Sequence, residues 1–225
     1  MRTLIDVIIP CYNDRASLIR CLRSLSMQSI GLDKFVVNIV DDGSDQEIES
    51  VLELVPTLNI NFKKHKKNLG LPSALNTALD MSSNQYFVRV DCDDFVHECF
   101  LESFVWAFEN KPNTMAVASD YKKVDTLERV ISYHRAYDEP IGCGIMFRRV
   151  IINEIGKYDI EFLMAEDLDF LFRFKSKFQM EYLGICSYRY TQKAGTISTN
   201  KAEHESYKNL AHLKNLKRIE NTNEK

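Results

Sequence analysis

Short β-branched runs alternate with helix-period stretches through the first part of the chain. Leu4 to Ile9 reads as a strand closed by Pro10, and Ser17 to Leu25 lines Leu18, Ile19, Leu22 and Leu25 along one helix face. Phe35 to Val40 is a second strand, Gln46 to Leu54 a helix, and Leu58 to Phe62 a third, weaker strand. Leu71 to Met81 is a helix with Pro72 in its first turn, where a missing N–H costs nothing, and Tyr86 to Val90 is a fourth strand. This order predicts parallel strands joined by helical crossovers. Beyond it, Glu98 to Phe108 repeats the helical stripe, Met115 to Ala118 is a strand, and short strand-like pieces between Tyr121 and Phe147 suggest a mixed edge. Arg149 to Ile155 is a short helix ended by Gly156, Glu166 to Lys175 is helical, Tyr182 to Tyr190 holds one or two strands, and Ala202 to Arg218 is a terminal helix. The expected fold class is α/β. It is a single domain over residues 1–200 with a Rossmann-like, mostly parallel sheet between helices and a mixed C-terminal half, followed by a helix and tail over 201–225.

Composition narrows this picture. The chain has 225 residues, 45% of them apolar, enough for one core without staples. Its 29 basic and 32 acidic side chains leave a net charge of −3, which lacks the basic excess of a nucleic-acid binder. Six cysteines without a CxxC pair indicate neither a zinc site nor a disulfide framework, so a reducing, cytoplasmic home is expected. No apolar run reaches the ~18 residues that cross a bilayer. Asp6 interrupts the start before a signal-peptide core can form.

Three acidic clusters carry the chemistry: Asp41-Asp42, Asp91-Cys92-Asp93-Asp94 and Glu166-Asp167. The first two follow strands directly, and in an open parallel sheet the strands' carboxyl ends face the ligand crevice. Carboxylates gathered there repel one another unless a cation or hydrogen-bond donors hold them. Acids at strand ends also cap helices and close turns, and any one cluster alone fits that role as well. The DxD form of Asp91-Cys92-Asp93 suits Mg²⁺ or Mn²⁺, which take one or two protein carboxylates and substrate phosphate oxygens. An EF-hand is excluded because Phe95 and Val96 stand where a ligand and a glycine are required. There is no GxxxxGK[ST] loop, and Gly142-Cys143-Gly144 lacks the rest of a dinucleotide fingerprint, which leaves metal and basic side chains as the phosphate counter-charges. No histidine spacing argues for metal binding.

In order along the chain stand Val7-Ile8-Ile9-Pro10-Cys11-Tyr12-Asn13, Val40-Asp41-Asp42-Gly43-Ser44, and Asn68-Leu69-Gly70 with Ala74 and Asn76. Asp91-Cys92-Asp93-Asp94, Gly156-Lys157-Tyr158-Asp159 and Glu166-Asp167 with Arg173 follow. Together these pieces resemble the family 2 glycosyltransferases of the glycosyltransferase A fold, over about residues 4 to 200. The resemblance makes residues 1–200 a catalytic domain. It implies inverting, divalent-metal-dependent transfer from a nucleotide sugar, most often a UDP-sugar, to a hydroxyl of a glycan or lipid-linked acceptor. Pro10, Tyr12, Asp41, Asp42 and Asp91 would meet the donor, Tyr12 packing on the base, and Asp93 would ligate Mn²⁺ or Mg²⁺. Asp167 would be the general base and Glu166 its neighbour that positions the acceptor or tunes it. Taken without the resemblance, Tyr12 also reads as a strand-end aromatic covering the core, and Glu166-Asp167 as an acidic first helical turn. Asp169, two positions on, is expected to face solvent.

Some features depart from the family. Leu75 stands where many members carry an Arg near the diphosphate, and Lys63-Lys64-His65-Lys66-Lys67 either compensates or is a solvated face. Tyr188-Arg189-Tyr190 and Gly195-Thr196-Ile197-Ser198 resemble the family's closing segment, with Lys193 a candidate for the diphosphate. A sugar-nucleotide pyrophosphorylase would need a glycine- and arginine-rich loop after the first strand, which is absent. A catalytically silent nucleotide-sugar-binding or assembly module is the alternative, and the presence of both Asp93 and Asp167 argues against it. Short family members often build surface polysaccharides on lipid-linked acceptors, which raises peripheral contact with the inner membrane face. For the terminal helix, with Lys208, Lys214, Lys217 and Arg218 near three leucines, packing or dimerisation is the favoured role over an anionic surface.

Overall fold

The computed structural model describes residues 4–193 and 201–223. Its strands are β1 (Ile5–Cys11), β2 (Phe35–Asp41), β3 (Ile60–Lys64), β4 (Tyr86–Arg89), β5 (Phe95–Val96), β6 (Ala116–Val124), β7 (Val130–His134), β8 (Ile145–Arg148) and β9 (Met180–Thr191). The helices are α1 (Arg15–Ser26), α2 (Leu71–Met81), α3 (Phe100–Asn110), α4 (Ile151–Ile155), α5 (Glu166–Lys175) and α6 (Lys201–Asn223). One sheet runs in the order β3-β2-β1-β4-β8-β6-β9-β5, with β7 paired to β6. The β3-β2-β1-β4 half is parallel, and β8 enters antiparallel between β4 and β6. The expected α/β class with a mixed C-terminal half is the observed one.

Strand β1 is buried on both faces. Ile5, Val7 and Ile9 pack with Leu18, Leu22, Phe100 and Phe104 of α1 and α3, while Ile8 packs with Ala74, Leu75, Phe170 and Phe174 of α2 and α5. Alternation across the strand thus feeds two apolar layers, one on each side of the sheet. Asp6 lies inside this run and is buried. Its carboxylate accepts from Asn38 Nδ2 (2.9 Å), Ser83 N (2.9 Å), and Asn84 N (2.7 Å), which satisfies the charge and ties β1 to β2 and to the turn before β4. Pro10 does not close β1, which continues to Cys11. The pairing with β4 stops at Ile8, so no neighbour there requires a proline N–H.

Segment 46–54 is not an α-helix but ends in a 3₁₀ turn over Glu49–Leu54. Ile48, Val51, Val55 and Leu58 are buried at spacings of three and four while Leu54 is exposed, and the tighter turn keeps the apolar positions on one side. The two-residue β5 escaped the hydrophobic pattern because it is too short for one, while β7 is one of the strand-like pieces expected between Tyr121 and Phe147, its bounds hidden because Val130, Ile131 and Tyr133 are exposed on both faces. No helix among the described residues is long and apolar enough to cross a membrane.

Candidate active site

The chain leaves β4 into Asp91-Cys92-Asp93-Asp94, and the turn is fastened from three directions. Asp94 is fully buried. Its Oδ2 accepts from Tyr188 Oη and its Oδ1 from Thr191 N, both at 2.7 Å, while Tyr188 Oη accepts from Asp91 N at 3.1 Å. Arg20 of α1 donates through Nη2 to the Asp93 carbonyl (2.6 Å) and to Thr191 Oγ1 (2.8 Å), with its guanidinium over the Phe95 ring. These contacts hold Asp91 and Asp93 at the sheet's carboxyl edge. Burial, and next the charge of Asp91, push the Asp93 carboxyl up to about 6, while Lys193 pulls it down.

Arg89, the last residue of β4, is buried and carries two acids. Nε and Nη2 donate to Asp91 Oδ1 and Oδ2 at 2.6 and 2.9 Å, and Nη1 donates to Glu166 Oε1 at 2.7 Å. Burial raises the Glu166 carboxyl to about 7. The Arg89 charge opposes that rise, and the adjacent Asp167 adds to it. Ala165, the residue before α5, adopts left-handed backbone with φ 57°. This sharp entry turns Glu166 toward Arg89, and Asp167 Oδ2 accepts from Gly142 N at 3.1 Å. Asp167 is half-buried and also accepts through Oδ1 from Leu168 N (2.8 Å), at the favourable end of the α5 dipole.

The Asp41-Asp42 pair is buried and turned into its own loop. Asp42 accepts from His65 Nδ1 (2.7 Å), Leu69 N (3.0 Å) and Gly70 N (2.9 Å). Gly43 permits this crossing. Its φ is +78°, and a Cβ there would meet Lys67 C at 2.3 Å. Asp41 Oδ1 accepts from Ser44 N at 2.9 Å, whereas Oδ2, though buried, makes no aligned hydrogen bond and faces Lys64 Nζ at 3.3 Å. Tyr12, just past the end of β1, is 47% exposed. The left-handed Asn13 beside it (φ 52°) donates from N to Ser44 Oγ at 2.8 Å, so Tyr12 hangs on a turn bound to the β2 exit.

The donor set at the acidic turn bears on a cation. Asp91, Asp94 and Cys143 bring ligand atoms within 4.8 Å of one another. Asp94 is spent on Tyr188 and Thr191, Asp91 on Arg89, and burial holds the Cys143 thiol protonated, so this trio is a poor cage for a hard cation. Asp93 differs: its partly buried carboxylate is pushed toward protonation, and a cation beside it would relieve that cost. The hard oxygen of Asp93 therefore fits Mg²⁺ or Mn²⁺, with other ligands from outside the protein.

Arg89 and Arg20 were not singled out by sequence reasoning, and Gly142 and Tyr188 were named only within an incomplete dinucleotide fingerprint and a closing segment, without these contacts. A charged residue at the end of an otherwise apolar strand, two positions before the DxD, is the signal that marks Arg89. Asp169 corrects an expectation. It does point away from the Asp167 side, but α6 rather than solvent lies there. Asp169 is 0% exposed and accepts from Arg173 Nε (2.9 Å) and Arg218 Nη1 (2.6 Å). Leu75 is wholly buried in the core. Lys193 binds Asp14 and Ser17 Oγ at the start of α1. Segment 195–198 lies outside the described residues.

Comparison with known proteins follows the same lines. The model of the family described as "Glycosyl transferase family 2" matches residues 6–165. A PGL/p-HBAD biosynthesis glycosyltransferase of Mycobacterium bovis BCG is 24% identical over 182 residues, covering 76% of this chain and 69% of that protein. The poly(ribitol-phosphate) beta-N-acetylglucosaminyltransferase TarP of Staphylococcus aureus is 35% identical over 101 residues, 44% of this chain and 31% of that protein. Among solved structures, S. aureus TarS 1-349 in complex with UDP-GlcNAc superposes with a TM-score of 0.78 at 20% identity. That match covers 94% of this chain and 66% of the TarS chain, so this chain spans about two thirds of its length. The mannosyltransferase PcManGT of Pyrobaculum calidifontis, in complex with GDP-Man and Mn²⁺, gives 0.68 at 19% identity, over 87% and 59% of the respective chains. A family match over residues 6–165, on a sheet whose carboxyl edge holds the DxD turn against the start of α5, decides the assignment: the chain belongs to glycosyl transferase family 2 and is an enzyme of the glycosyltransferase class.

Proposed function

We propose that the protein transfers a sugar from a nucleotide-sugar donor, a UDP-sugar, to a hydroxyl of a glycan or lipid-linked acceptor in surface polysaccharide synthesis, with inversion at the anomeric carbon. The supporting observation is the Arg89 bridge, which sets the DxD acid Asp91 and the Glu166-Asp167 pair at one crevice. Residues 1–200 form the catalytic unit in this reading. Tyr12 stacks on the base and Pro10 shapes the strand exit beneath it, Asp41 and Asp42 belong to the base and ribose side, Asp42 by holding the 65–70 loop through His65, Leu69 and Gly70, and Asp91 serves the ribose or sugar.

Asp167 accepts the proton of the acceptor hydroxyl as that oxygen bonds to the anomeric carbon. The bond from that carbon to the diphosphate oxygen breaks with its electrons staying on the nucleoside diphosphate, so a single displacement inverts the centre. Glu166 orients the acceptor or tunes Asp167. A divalent cation at Asp93, Mn²⁺ or Mg²⁺, would supply charge neutralisation for the departing diphosphate.

The deciding experiment screens UDP-, GDP- and dTDP-sugars by thermal shift with and without Mn²⁺, then follows nucleotide release by wild type and Asp167→Asn. Stabilisation by one donor class, with release reduced about 100-fold or more in the variant, is expected. Absence of stabilisation by every donor would sink the reading.

A further inference from the structure

We infer that Arg89 is a positioning residue, whose single guanidinium fixes the donor-side acid Asp91 and the acceptor-side acid Glu166 at a set separation and thereby places Asp167. The inference rests on the glycosyl-transfer reading above. Arg89 leaves β4 on the same face as Phe87, the face that α5 covers, so its side chain runs from the strand edge to the first turn of α5. A guanidinium presents its donors in a rigid plane. Here Nε and Nη2 grip both oxygens of Asp91, and the outer Nη1 reaches one oxygen of Glu166. Lysine offers one compact ammonium and cannot reproduce both grips.

The start of α5 needs such a tether. Ala165 holds left-handed backbone without being a glycine, a conformation that persists only where surrounding contacts impose it. Among the described residues, the Arg89–Glu166 pair and the Gly142 N–H on Asp167 are side-chain hydrogen bonds from neighbouring elements that flank this turn. Tyr188 Oη accepts from the Asp91 backbone N–H and donates to Asp94, so the backbone on the donor side stays anchored from the β9 side when the Arg89 grip on the carboxylate is lost. Loss of the clamp therefore frees the Asp167 side first, and its signature is a fall in turnover without a matching fall in donor affinity.

The test uses the full chain with Mn²⁺ and the panel sugar nucleotide that gives the fastest nucleotide release, comparing wild type, Arg89→Lys, Glu166→Gln and the double variant. Arg89→Lys is expected to lower kcat about tenfold or more while the donor KM stays within about threefold. Glu166→Gln, approaching from the other end, is expected to lower kcat comparably, and the double variant to be no slower than the slower single one. Wild-type kcat in Arg89→Lys, a raised KM with unchanged kcat, or losses that multiply in the double variant would each overturn the inference. If Arg89→Lys fails to fold by far-UV circular dichroism, Glu166→Gln decides alone, and wild-type kcat there overturns it. Wild-type protein inactive on every sugar nucleotide removes the functional reading and the inference together, whereas an active wild type matched by its variants removes only the inference.

Discussion

The backbone of Gly142 lies against the Asp167 side chain: the Gly142 N–H donates to Asp167 Oδ2 at 3.1 Å, and a Cβ on Gly142 would fall 2.4 Å from the Asp167 Cβ. No side chain fits between them. The only way to admit even a methyl group is to move the start of α5 or the 142–144 segment, and either movement shifts the candidate base.

Gly142→Ala is therefore expected to slow sugar transfer about tenfold or more through misplacement of Asp167, with UDP affinity by calorimetry little changed. A variant that transfers at the wild-type rate would show that Asp167 does not need its seat on Gly142.

Glu166 sets a pH dependence whose sign follows from its raised carboxyl. In the unfolded chain it ionises at 4.5, and in the fold at about 7. Between these values the folded state holds more protons, so the Glu166 contribution to stability is fully present below pH 4.5 and is lost as pH rises to about 7. Glu166→Gln carries no such ionisation. Its melting temperature minus that of wild type is expected to rise across this window and level off above it. A difference that falls over the same range would mean that the Arg89 charge, not burial, dominates at Glu166. Transfer by wild type should also show an acidic limb near pH 7 that the Gln variant lacks.

The cation reading places the requirement on Asp93. UDP affinity measured by calorimetry should increase on adding Mn²⁺ or Mg²⁺, and Asp93→Ala should lose most of that increment while keeping its far-UV spectrum. Equal affinity in chelator and in either metal would remove the cation from Asp93.

Asp169 makes a stability prediction remote from the crevice. It neutralises Arg173 on its own helix and Arg218 on α6 from a fully buried position. Asp169→Ala leaves these cations without their shared acid and is expected to cost about 3 kcal/mol in denaturant unfolding. Arg218→Ala, which removes the more exposed partner, should cost about 1 kcal/mol or less. Equal losses would indicate that α6 depends on Arg218 itself rather than on compensation of Asp169.

Local periodicity determined much of this protein directly from its sequence. β-branched runs such as Phe35–Asp41 and the apolar stripe of Phe100–Asn110 state which face is buried, and burial of that face is what forms a strand or a helix at all. The DxD acids were legible because they follow β4 at once, and the ends of parallel strands share one edge of the sheet. Partners across long separations were not legible. Arg89 meets Glu166 across 77 positions, Asp91 meets Tyr188 across 97, and Asp169 meets Arg218 across 49. Side-chain direction can be read from helical spacing, as it was for Asp169, but what occupies that direction depends on where α6 returns. Gly142 carries no periodic signal because its role is to have no side chain where α5 arrives. Tertiary packing alone decided which acids are spent on structure, as Asp94 is, and which stand at the crevice, because hydrogen-bond satisfaction belongs to the assembled neighbourhood and not to the residue.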